Sequence, residues 1–355
     1  MVDLLSLTRD ELTSKLEELG EPRFRGAQLC SWIYERRAKT FEEMTDLPRA
    51  FRMALSKCFA LRPLTKVKET GSKDSTRKLL FRLADGQMIE TVLIPASPAL
   101  YGKRADRHTI CIASQVGCAY GCKFCASGLD GLKRNLTAGE IVAQFLAGEE
   151  LSGEKMGNVV FMGMGEPFAN YENLMRALRI LNASWGLRVG ARNMTVSTSG
   201  LAPRIRDFAD QSLQVRLAIS LHGATDAVRE RIMPINRKYP LSDLFDACQY
   251  YSLRKNQRLT FEYILISGVN DSEEQAVALA GHARRLRAKV NLIPYNKVAG
   301  LPWERPSEMV QQRFLSLLWM RHVPATLRRE KGHDISAACG QLRLQVANPF
   351  LVQDS

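Results

Sequence analysis

The sequence predicts an α/β protein in which a parallel sheet or barrel follows a small helical domain. Three observations support this fold class: helical patterns up to about residue 65, a hairpin signal between residues 77 and 94, and six later segments in which strands and helices alternate. Chains that alternate strand and helix form parallel sheets with helices on their faces. At 355 residues, the chain fits a barrel-sized domain with a smaller one attached.

The N-terminal 65 residues are predicted to form short helices. Thr8 and Glu11 have the spacing of a capping box, and apolar residues follow at helical intervals. Further helical patterns cover about residues 25–37 and 48–58. This part of the chain therefore indicates a small helical domain.

A β-hairpin is predicted next, because two apolar segments, 77–83 and 87–94, flank the turn pair Asp85-Gly86. A segment with prolines and a glycine then leads to a new domain near Arg107. The strands predicted after that point are 109–113, 158–162, 193–197, 214–220, 259–266 and 289–294. In a parallel α/β sheet, ligands bind at the carboxyl ends of the strands, where this chain has its polar and glycine-rich loops.

Composition and charge narrow the class of protein. Hydrophobic residues make up 45% and charged residues 25%, which is typical of a globular protein. Charges near Met1 do not fit a signal peptide, and no segment has the length of a membrane span, so we expect a cytoplasmic protein without a membrane partner. Eight cysteines without a disulfide framework suit a reducing compartment.

The net charge of +13 is concentrated after the first segment. Residues 1–50 hold 8 Lys and Arg against 10 Asp and Glu, whereas residues 51–108 hold 12 against 5. The second segment is a candidate phosphate-binding surface, although it could equally be a solvated basic face. Its cations include Lys66, Lys68, Lys73, Arg77, Lys78, Arg82, Lys103, Arg104 and Arg107.

Three cysteines lie within eight residues, at Cys118, Cys122 and Cys125. Three thiolates at this spacing can hold a [4Fe-4S] cluster whose fourth iron stays open to bind another molecule. The same spacing can also be most of a structural zinc site, with Cys111 or His108 as the fourth ligand. The cysteines alone leave both kinds of site open.

A second motif, Gly163-Met-Gly165-Glu166-Pro167, follows the second strand of the predicted sheet. Its glycines let the backbone approach a ligand closely, and a carboxylate follows them. Together with the cysteine spacing and the aromatic Phe124, this motif resembles the radical S-adenosylmethionine (SAM) enzymes.

The chain is more specifically similar to the RlmN/Cfr-type RNA adenine methyltransferases, and this similarity covers nearly its whole length. It is carried by residues 111–118, 133–137, 220–223, 293–296 and 332–342. The resemblance implies a partial (β/α)6 radical SAM barrel with an N-terminal helical accessory domain. The expected boundaries are 1–65 for the helical domain, 66–106 for the hairpin and linker, 107–335 for the core and 336–355 for a C-terminal tail.

The same resemblance implies site residues. Cys118, Cys122 and Cys125 would hold the [4Fe-4S] cluster. SAM would be contacted by Gly165, Glu166, Ser197, Ser220, Leu221, His222 and Asn296, with Phe124 near its adenine. Cys339 would carry the methyl group, Cys111 would form a transient disulfide with it, and Glu90 matches the family's active-site glutamate. From the residues alone, Cys339 could be a buried hydrophobe, His222 a satisfied histidine and Glu90 a solvent-facing strand residue.

The implied reaction is methylation of carbon 2 of an adenosine in 23S rRNA and in some tRNAs. Carbon 2 of adenine is electron-poor and cannot attack SAM directly, which is why the family uses a radical route with two SAM molecules per product. The implied partners are RNA and an electron donor such as flavodoxin or ferredoxin, and the chain is expected to be a monomer. Two alternatives stay open: Cfr-type methylation at carbon 8, and a non-catalytic RNA-binding protein with structural zinc.

Overall fold

The computed structural model describes residues 1–61, 63–95, 108–298, 300–328 and 335. The first residues form a helical unit, as predicted. Its capping box is present: the Thr8 side chain accepts a hydrogen bond from the Glu11 N–H, and the Glu11 carboxylate accepts one from the Thr8 N–H. Two short parallel strands close the unit on itself. Its elements are β1 (Val2–Asp3), α1 (Arg9–Glu18), α2 (Phe24–Cys30), α3 (Arg49–Cys58) and β2 (Phe59–Ala60).

The helical unit docks on the rest of the chain through polar contacts. Asp3 accepts a hydrogen bond from Thr137 Oγ1 over 3.1 Å, and the Gly139 N–H donates to Ser6 Oγ over 2.8 Å. Glu11 also pairs with Arg176. These contacts reach residues more than 130 positions away in the chain, so the unit belongs to the tertiary fold.

The predicted hairpin is present and continues into the main sheet. Its strands pair antiparallel, and Gly86 adopts a φ of 82° in the turn, which favours glycine. A further antiparallel strand precedes them. The three strands are β3 (Leu64–Gly71), β4 (Arg77–Leu83) and β5 (Met88–Ile94).

All six strands predicted for the barrel are found, and they are parallel to one another. They are β6 (His108–Cys111), β9 (Met156–Phe161), β10 (Met194–Thr198), β11 (Arg216–Ser220), β12 (Thr260–Leu265) and β13 (Lys289–Pro294). A seventh parallel strand, β14 (Ala325–Leu327), extends the edge beyond β13. Antiparallel pairing of β5 with β6 joins the hairpin to this series, which gives one ten-stranded sheet in the order β14-β13-β12-β11-β10-β9-β6-β5-β4-β3.

Helices connect the parallel strands. The first of them begins at a second capping box, between Thr137 and Glu140, and ends at Gly153 with a φ of 69°. The helices are α4 (Ala138–Ser152), α5 (Tyr171–Asn182), α6 (Ala202–Asp210), α7 (Asp226–Ile232), α8 (Leu241–Lys255), α9 (Glu273–Arg285) and α10 (Glu308–Met320). Among the described residues, no helix has both the length and the apolar character needed to cross a bilayer.

A small antiparallel ribbon, which the sequence did not predict, flanks the three clustered cysteines. It pairs β7 (Gln115–Gly117) with β8 (Leu132–Asn135). Gly117 has a φ of 75°, and a side chain there would collide with the carbonyl oxygen of Gly131. The ribbon therefore brings both ends of the cysteine segment together at the end of β6.

Candidate active site

A cavity of about 340 Å³ opens at the carboxyl ends of the parallel strands. This volume lies in the usual range for a small-molecule site. Most of the site residues expected from the sequence line it, so the predicted loops converge on one face. They are Cys118, Cys122, Phe124, Cys125, Gly165, Glu166, Ser197, Ser220, His222 and Asn296.

The cysteine segment is fixed by contacts from distant parts of the chain. The Lys123 N–H donates to the carbonyl of Ile232 over 2.9 Å, and the indole N–H of Trp303 donates to the carbonyl of Lys123 over 2.7 Å. The ring of Phe124 meets His222 edge to face, with 4.8 Å between ring centroids. The backbone that presents the thiols is thus positioned by the loops around it.

The thiols fit an iron–sulfur cluster. Three soft thiolate donors line one cavity, which is the ligand type that such clusters take. Burial raises the pKa of Cys118 to about 11 and also raises the pKa of Cys122, so the cavity disfavours free thiolates and favours thiolates neutralised by a metal. Within the described residues, no three Cys, His, Asp or Glu side chains are close enough together to hold a single metal ion. This arrangement agrees with a cluster, because each of its cysteine ligands binds a different iron.

The glycine-rich loop after β9 lies against the backbone before the cysteines. Gly165 has a φ of 98° and leaves no room for a side chain beside Gln115. The N–H of Glu166 donates to Gln115 Oε1 over 2.8 Å. The Glu166 carboxylate accepts from the backbone N–H groups of Ser199, over 2.6 Å, and Phe168, over 3.0 Å.

These backbone donors have an electrostatic effect on Glu166. Burial raises its pKa above the ordinary value, while the hydrogen bonds from Ser199 and Phe168 act in the opposite direction by favouring the charged form. The carboxylate also ties the loop after β9 to the loop after β10. It can therefore hold both loops against one ligand.

His222 lies at the end of β11 in a left-handed conformation, with a φ of 56°. Its Nδ1 accepts a hydrogen bond from the Ile264 N–H over 3.0 Å, so the neutral ring carries its proton on Nε2. Burial lowers the pKa of His222 to about 3. Beside it, the hydroxyls of Ser197 and Ser220 are 3.2 Å apart.

Three further expected residues are described but do not line the cavity. Leu221 is fully buried, and its backbone carbonyl accepts from Arg229. Cys111 is buried at the end of β6 and faces the same side of the sheet as Val92, its partner in the register. Glu90 is 4% exposed, with Lys78 Nζ 3.7 Å from its Oε1, so it is not a solvent-facing strand residue. The methyl-carrier candidate Cys339 lies outside the described residues.

Cys111 and Glu90 share the inner face of the sheet. On the opposite face, Thr91 bonds Gln144 of α4, and Ile110 lies close to Gly148 of the same helix. Because side chains alternate along a strand, Glu90, Val92 and Cys111 point away from α4. A backbone hydrogen bond from Met162, which lines the cavity, places the Cys111 thiol near its wall.

The structure adds site residues that the sequence did not reveal. Glu262 of β12 and Arg328 after β14 both line the cavity. Glu262 is a carboxylate within an otherwise apolar strand, and this position is the one signal by which it could have been found. Nothing in the sequence identified Arg229, a fully buried arginine on α7 that donates to the carbonyls of Ser199 and Leu221.

Comparison with known proteins identifies the family. Residues 112–280 match the radical SAM superfamily, and residues 2–61 match the ribosomal RNA large subunit methyltransferase N-terminal domain. The chain is 55% identical over 350 residues to the probable dual-specificity RNA methyltransferase RlmN 3 of Opitutus terrae, covering 95% of this chain and 93% of that relative. The chain belongs to the RlmN family.

Further relatives agree with membership of the RlmN family. The probable dual-specificity RNA methyltransferase RlmN of Akkermansia muciniphila is 50% identical over 338 residues, covering 95% of this chain and 94% of that relative. The crystal structure of a radical SAM methyltransferase from Sphaerobacter thermophilus matches with a TM-score of 0.90 at 47% identity, covering 96% of this chain and 99% of that chain. The predicted α/β fold, with an open barrel-like sheet and an N-terminal accessory domain, is confirmed.

As an RlmN-family member, the protein is a radical SAM RNA methyltransferase that uses a [4Fe-4S] cluster and SAM. The non-catalytic zinc protein was a wrong alternative, because the cysteine spacing belongs to an enzyme superfamily that builds a cluster on it.

Proposed function

We propose that this enzyme methylates carbon 2 of an adenosine in the peptidyl transferase centre of 23S rRNA, and of an adenosine next to the anticodon in some tRNAs. The observation that carries this proposal is identity of 50% or more, over 95% of the chain, to relatives named as dual-specificity RNA methyltransferases. Two RNA classes with one target atom would account for dual specificity.

In this proposal Cys118, Cys122 and Cys125 hold the cluster. SAM lies in the same cavity, against Gly165, Glu166, Ser197, Ser220, Leu221, His222 and Asn296. The convergence of all but Leu221 on one cavity supports this assignment. The Leu221 N–H and carbonyl are bonded to the Glu262 carbonyl and to Arg229, so Leu221 would act by positioning His222. When bound, the cluster and SAM supply a methyl group and a carbon-centred radical.

Cys339 carries the methyl group to the adenine. Arg328, the last residue of the described range 300–328, lines the cavity, and Cys339 follows eleven positions later. An extended chain of that length reaches on the order of 35 Å, which is ample for its thiol to enter the cavity. Nucleophilic uptake of the methyl group requires Cys339 in its thiolate form.

To release the product, the sulfur of Cys111 attacks the sulfur of Cys339: the S–S bond forms as the bond between Cys339 and the transferred carbon breaks, and the electron pair of the broken bond leaves with the base. A thiol reductant must then reduce the disulfide, which restores Cys111. Its position on the inner face of the sheet, near the cavity wall, supports this role. Either Cys111 or Glu90 takes the proton of the adenine ring. Glu90 is a candidate because it lies on the same face of β5 as Val92, the residue paired with Cys111.

Four finer assignments belong to the same proposal. A flavodoxin or ferredoxin donates the electron, the protein acts as a monomer in the cytoplasm, the core spans residues 107–335, and residues 336–355 form the tail that carries Cys339.

The test is mass spectrometry of adenosines from ribosomal and transfer RNA of cells that lack the gene and then regain it. We expect 2-methyladenosine in both RNA classes only when the gene is present. A methyl group at carbon 8 would replace the proposal with the Cfr-type reaction. Absence of 2-methyladenosine from tRNA would refute dual specificity.

A further inference from the structure

A second cavity, of about 750 Å³, opens at the end of the barrel opposite the cysteines. Its lining includes Arg216, Thr260 and Lys289, the first residues of β11, β12 and β13. The active-site cavity opens beyond the last residues of the same strands, and the two cavities meet inside the barrel, where Met162 and Glu262 line both. A strand of six residues spans about 20 Å, so the two openings face opposite sides of the molecule.

This basal cavity is lined by an excess of positive charge, carried by Arg192, Arg216, Lys255, Arg258 and Lys289. The three arginines are exposed, and in the described part of the chain no carboxylate comes within 4.0 Å of their guanidinium groups. The one carboxylate in the lining, Glu262, is buried and accepts a hydrogen bond from Asn291 over 2.6 Å.

The positive surface continues beyond this cavity. An adjoining cavity of about 370 Å³ shares Arg258 and adds Arg284 and Arg287, which are both exposed. We call the combined surface the basal face, and it comprises Arg192, Arg216, Arg258, Arg284, Arg287 and Lys289. Such an extended cluster of exposed cations suits a ligand with many negative charges.

The hairpin segment, which looked most basic in the sequence, differs from the basal face because several of its cations have carboxylate partners. Glu69 pairs with Arg77 and lies 3.3 Å from Lys66 Nζ, and Lys78 is buried beside Glu90. Three cations of that segment, Lys66, Arg77 and Lys78, therefore have carboxylate partners in the fold. The basal face instead collects cations that are far apart in the sequence and leaves its arginines 192, 216 and 258 without carboxylate partners.

We propose that the basal face binds backbone phosphates of the RNA substrate at a distance from the nucleotide being methylated. Guanidinium groups suit phosphate oxygens, and phosphate contacts position an RNA without reading its sequence. As far as the chain is described, the lining of the basal cavity contains no aromatic side chain, so it offers phosphate binding and not base stacking.

This proposal rests on RNA being the substrate of the family and not on which carbon is methylated. Because the basal face is about 20 Å from the active-site end, only an RNA large enough to pass around the barrel can occupy both. A hairpin whose stem is shorter than this distance can fill the active site without reaching the basal face. The two surfaces can therefore be separated by the size of the RNA.

The experiment measures binding of the holoenzyme, without reductant, to two RNAs: a domain-sized fragment of large-subunit ribosomal RNA, and a short hairpin with the same target adenosine. In the variant Arg192→Gln/Arg216→Gln/Arg258→Gln, we expect the Kd for the long RNA to rise about tenfold or more. The slope of log Kd against log salt should fall by about two to three, because each phosphate contact contributes about 0.7 to 0.9. Hairpin affinity should stay unchanged.

The matched control is Arg204→Gln/Arg206→Gln/Arg237→Gln, which removes the same charge from exposed residues outside both basal cavities. Equal weakening by the control would show a non-specific charge effect and overturn the proposal. The proposal would also be overturned if the basal variant bound the long RNA as tightly as the wild type, or if it lost as much affinity for the hairpin as for the long RNA. A third outcome would assign the basal face to small anions instead. In that case the wild type binds inorganic tripolyphosphate tightly, and the basal variant loses this binding but keeps its affinity for the long RNA.

Discussion

Arg229 Nε donates a hydrogen bond to the carbonyl oxygen of Leu221 over 3.1 Å. Leu221 was expected among the ligand contacts, but its carbonyl is used by this fully buried guanidinium. The other nitrogens of Arg229 donate to the Ser199 carbonyl and, over 2.8 Å, to Asn236 Oδ1. One side chain thus joins the loops after β10 and β11, both of which line the active-site cavity.

Replacing Arg229 with Met should weaken both stability and SAM binding. Several buried acceptors would lose a charged donor, so the free energy of unfolding should fall by about 3 kcal/mol or more. Urea denaturation measures this change, and calorimetric titration with SAM should show at least tenfold weaker binding. Arg237→Met, at an exposed residue, is the control. Lost stability with unchanged SAM affinity would show that Arg229 supports the fold and not the site.

Replacing Cys118 with Ala should abolish cluster binding, because a cluster held by two thiolates lacks a ligand on a second iron. Iron and sulfide analysis after anaerobic reconstitution measures this loss, and RNA methylation should vanish with it. Cys58→Ala provides the control, since Cys58 lies at the end of α3 and does not line the cavity. Continued RNA methylation by the cluster-free variant would refute the radical mechanism.

Replacing Cys111 with Ala should leave the enzyme covalently joined to its RNA, because no thiol remains to release Cys339. Denaturing electrophoresis with labelled RNA should show a protein–RNA band that ribonuclease removes. Cys248→Ala is a suitable comparison, since Cys248 is another buried cysteine, on α8. Normal multiple turnover by the Cys111 variant would contradict its releasing role.

The stability of the apo-protein should depend on His222 below neutral pH. Burial lowers the pKa of His222 to about 3, whereas the unfolded chain keeps the ordinary value near 6.5. Its contribution to stability is therefore complete above about pH 6.5 and is lost as the pH falls towards 3, because only the unfolded state takes up the proton. At pH 5 the loss should be about 2 kcal/mol.

Denaturation of the wild type and of His222→Asn at pH 7 and pH 5 measures this contribution. Asparagine tolerates the left-handed backbone, and its side-chain oxygen can accept from the Ile264 N–H in place of Nδ1. The variant should lose less stability than the wild type between the two pH values. Equal losses would show that His222 is not the group responsible.

Local sequence patterns were sufficient where local physics decides the structure. Asp85-Gly86 predicted the hairpin because few residues adopt the backbone of that turn, and Thr137 with Glu140 predicted the start of α4. The convergence of the cavity loops followed from the rule that parallel strands present their carboxyl ends on one side. The pattern therefore predicted that these loops share one cavity, whereas the individual site residues came from the family resemblance.

Contacts between distant segments were not predictable in this way. Lys78 looked like part of a phosphate-binding surface, but antiparallel pairing of β4 and β5 brings it beside Glu90, which it meets as a buried partner. In the sequence, nothing distinguishes Arg229 from other arginines of short polar helices, because its partners lie on loops that come close only in the folded protein. The basal face was equally hidden, because its cations are spread from Arg192 to Lys289.

The pairing of β5 with β6 bears on how the nascent chain folds as it leaves the ribosome. Among the described strands, β6 is the next after β5, whereas β9, the parallel neighbour of β6, is synthesised only after β7, β8 and α4. Closing a short loop costs less entropy than closing a long one, so β6 can dock on the hairpin before β9 exists. We therefore expect the strand that ends in Cys111 to be the earliest part of the catalytic sheet to settle.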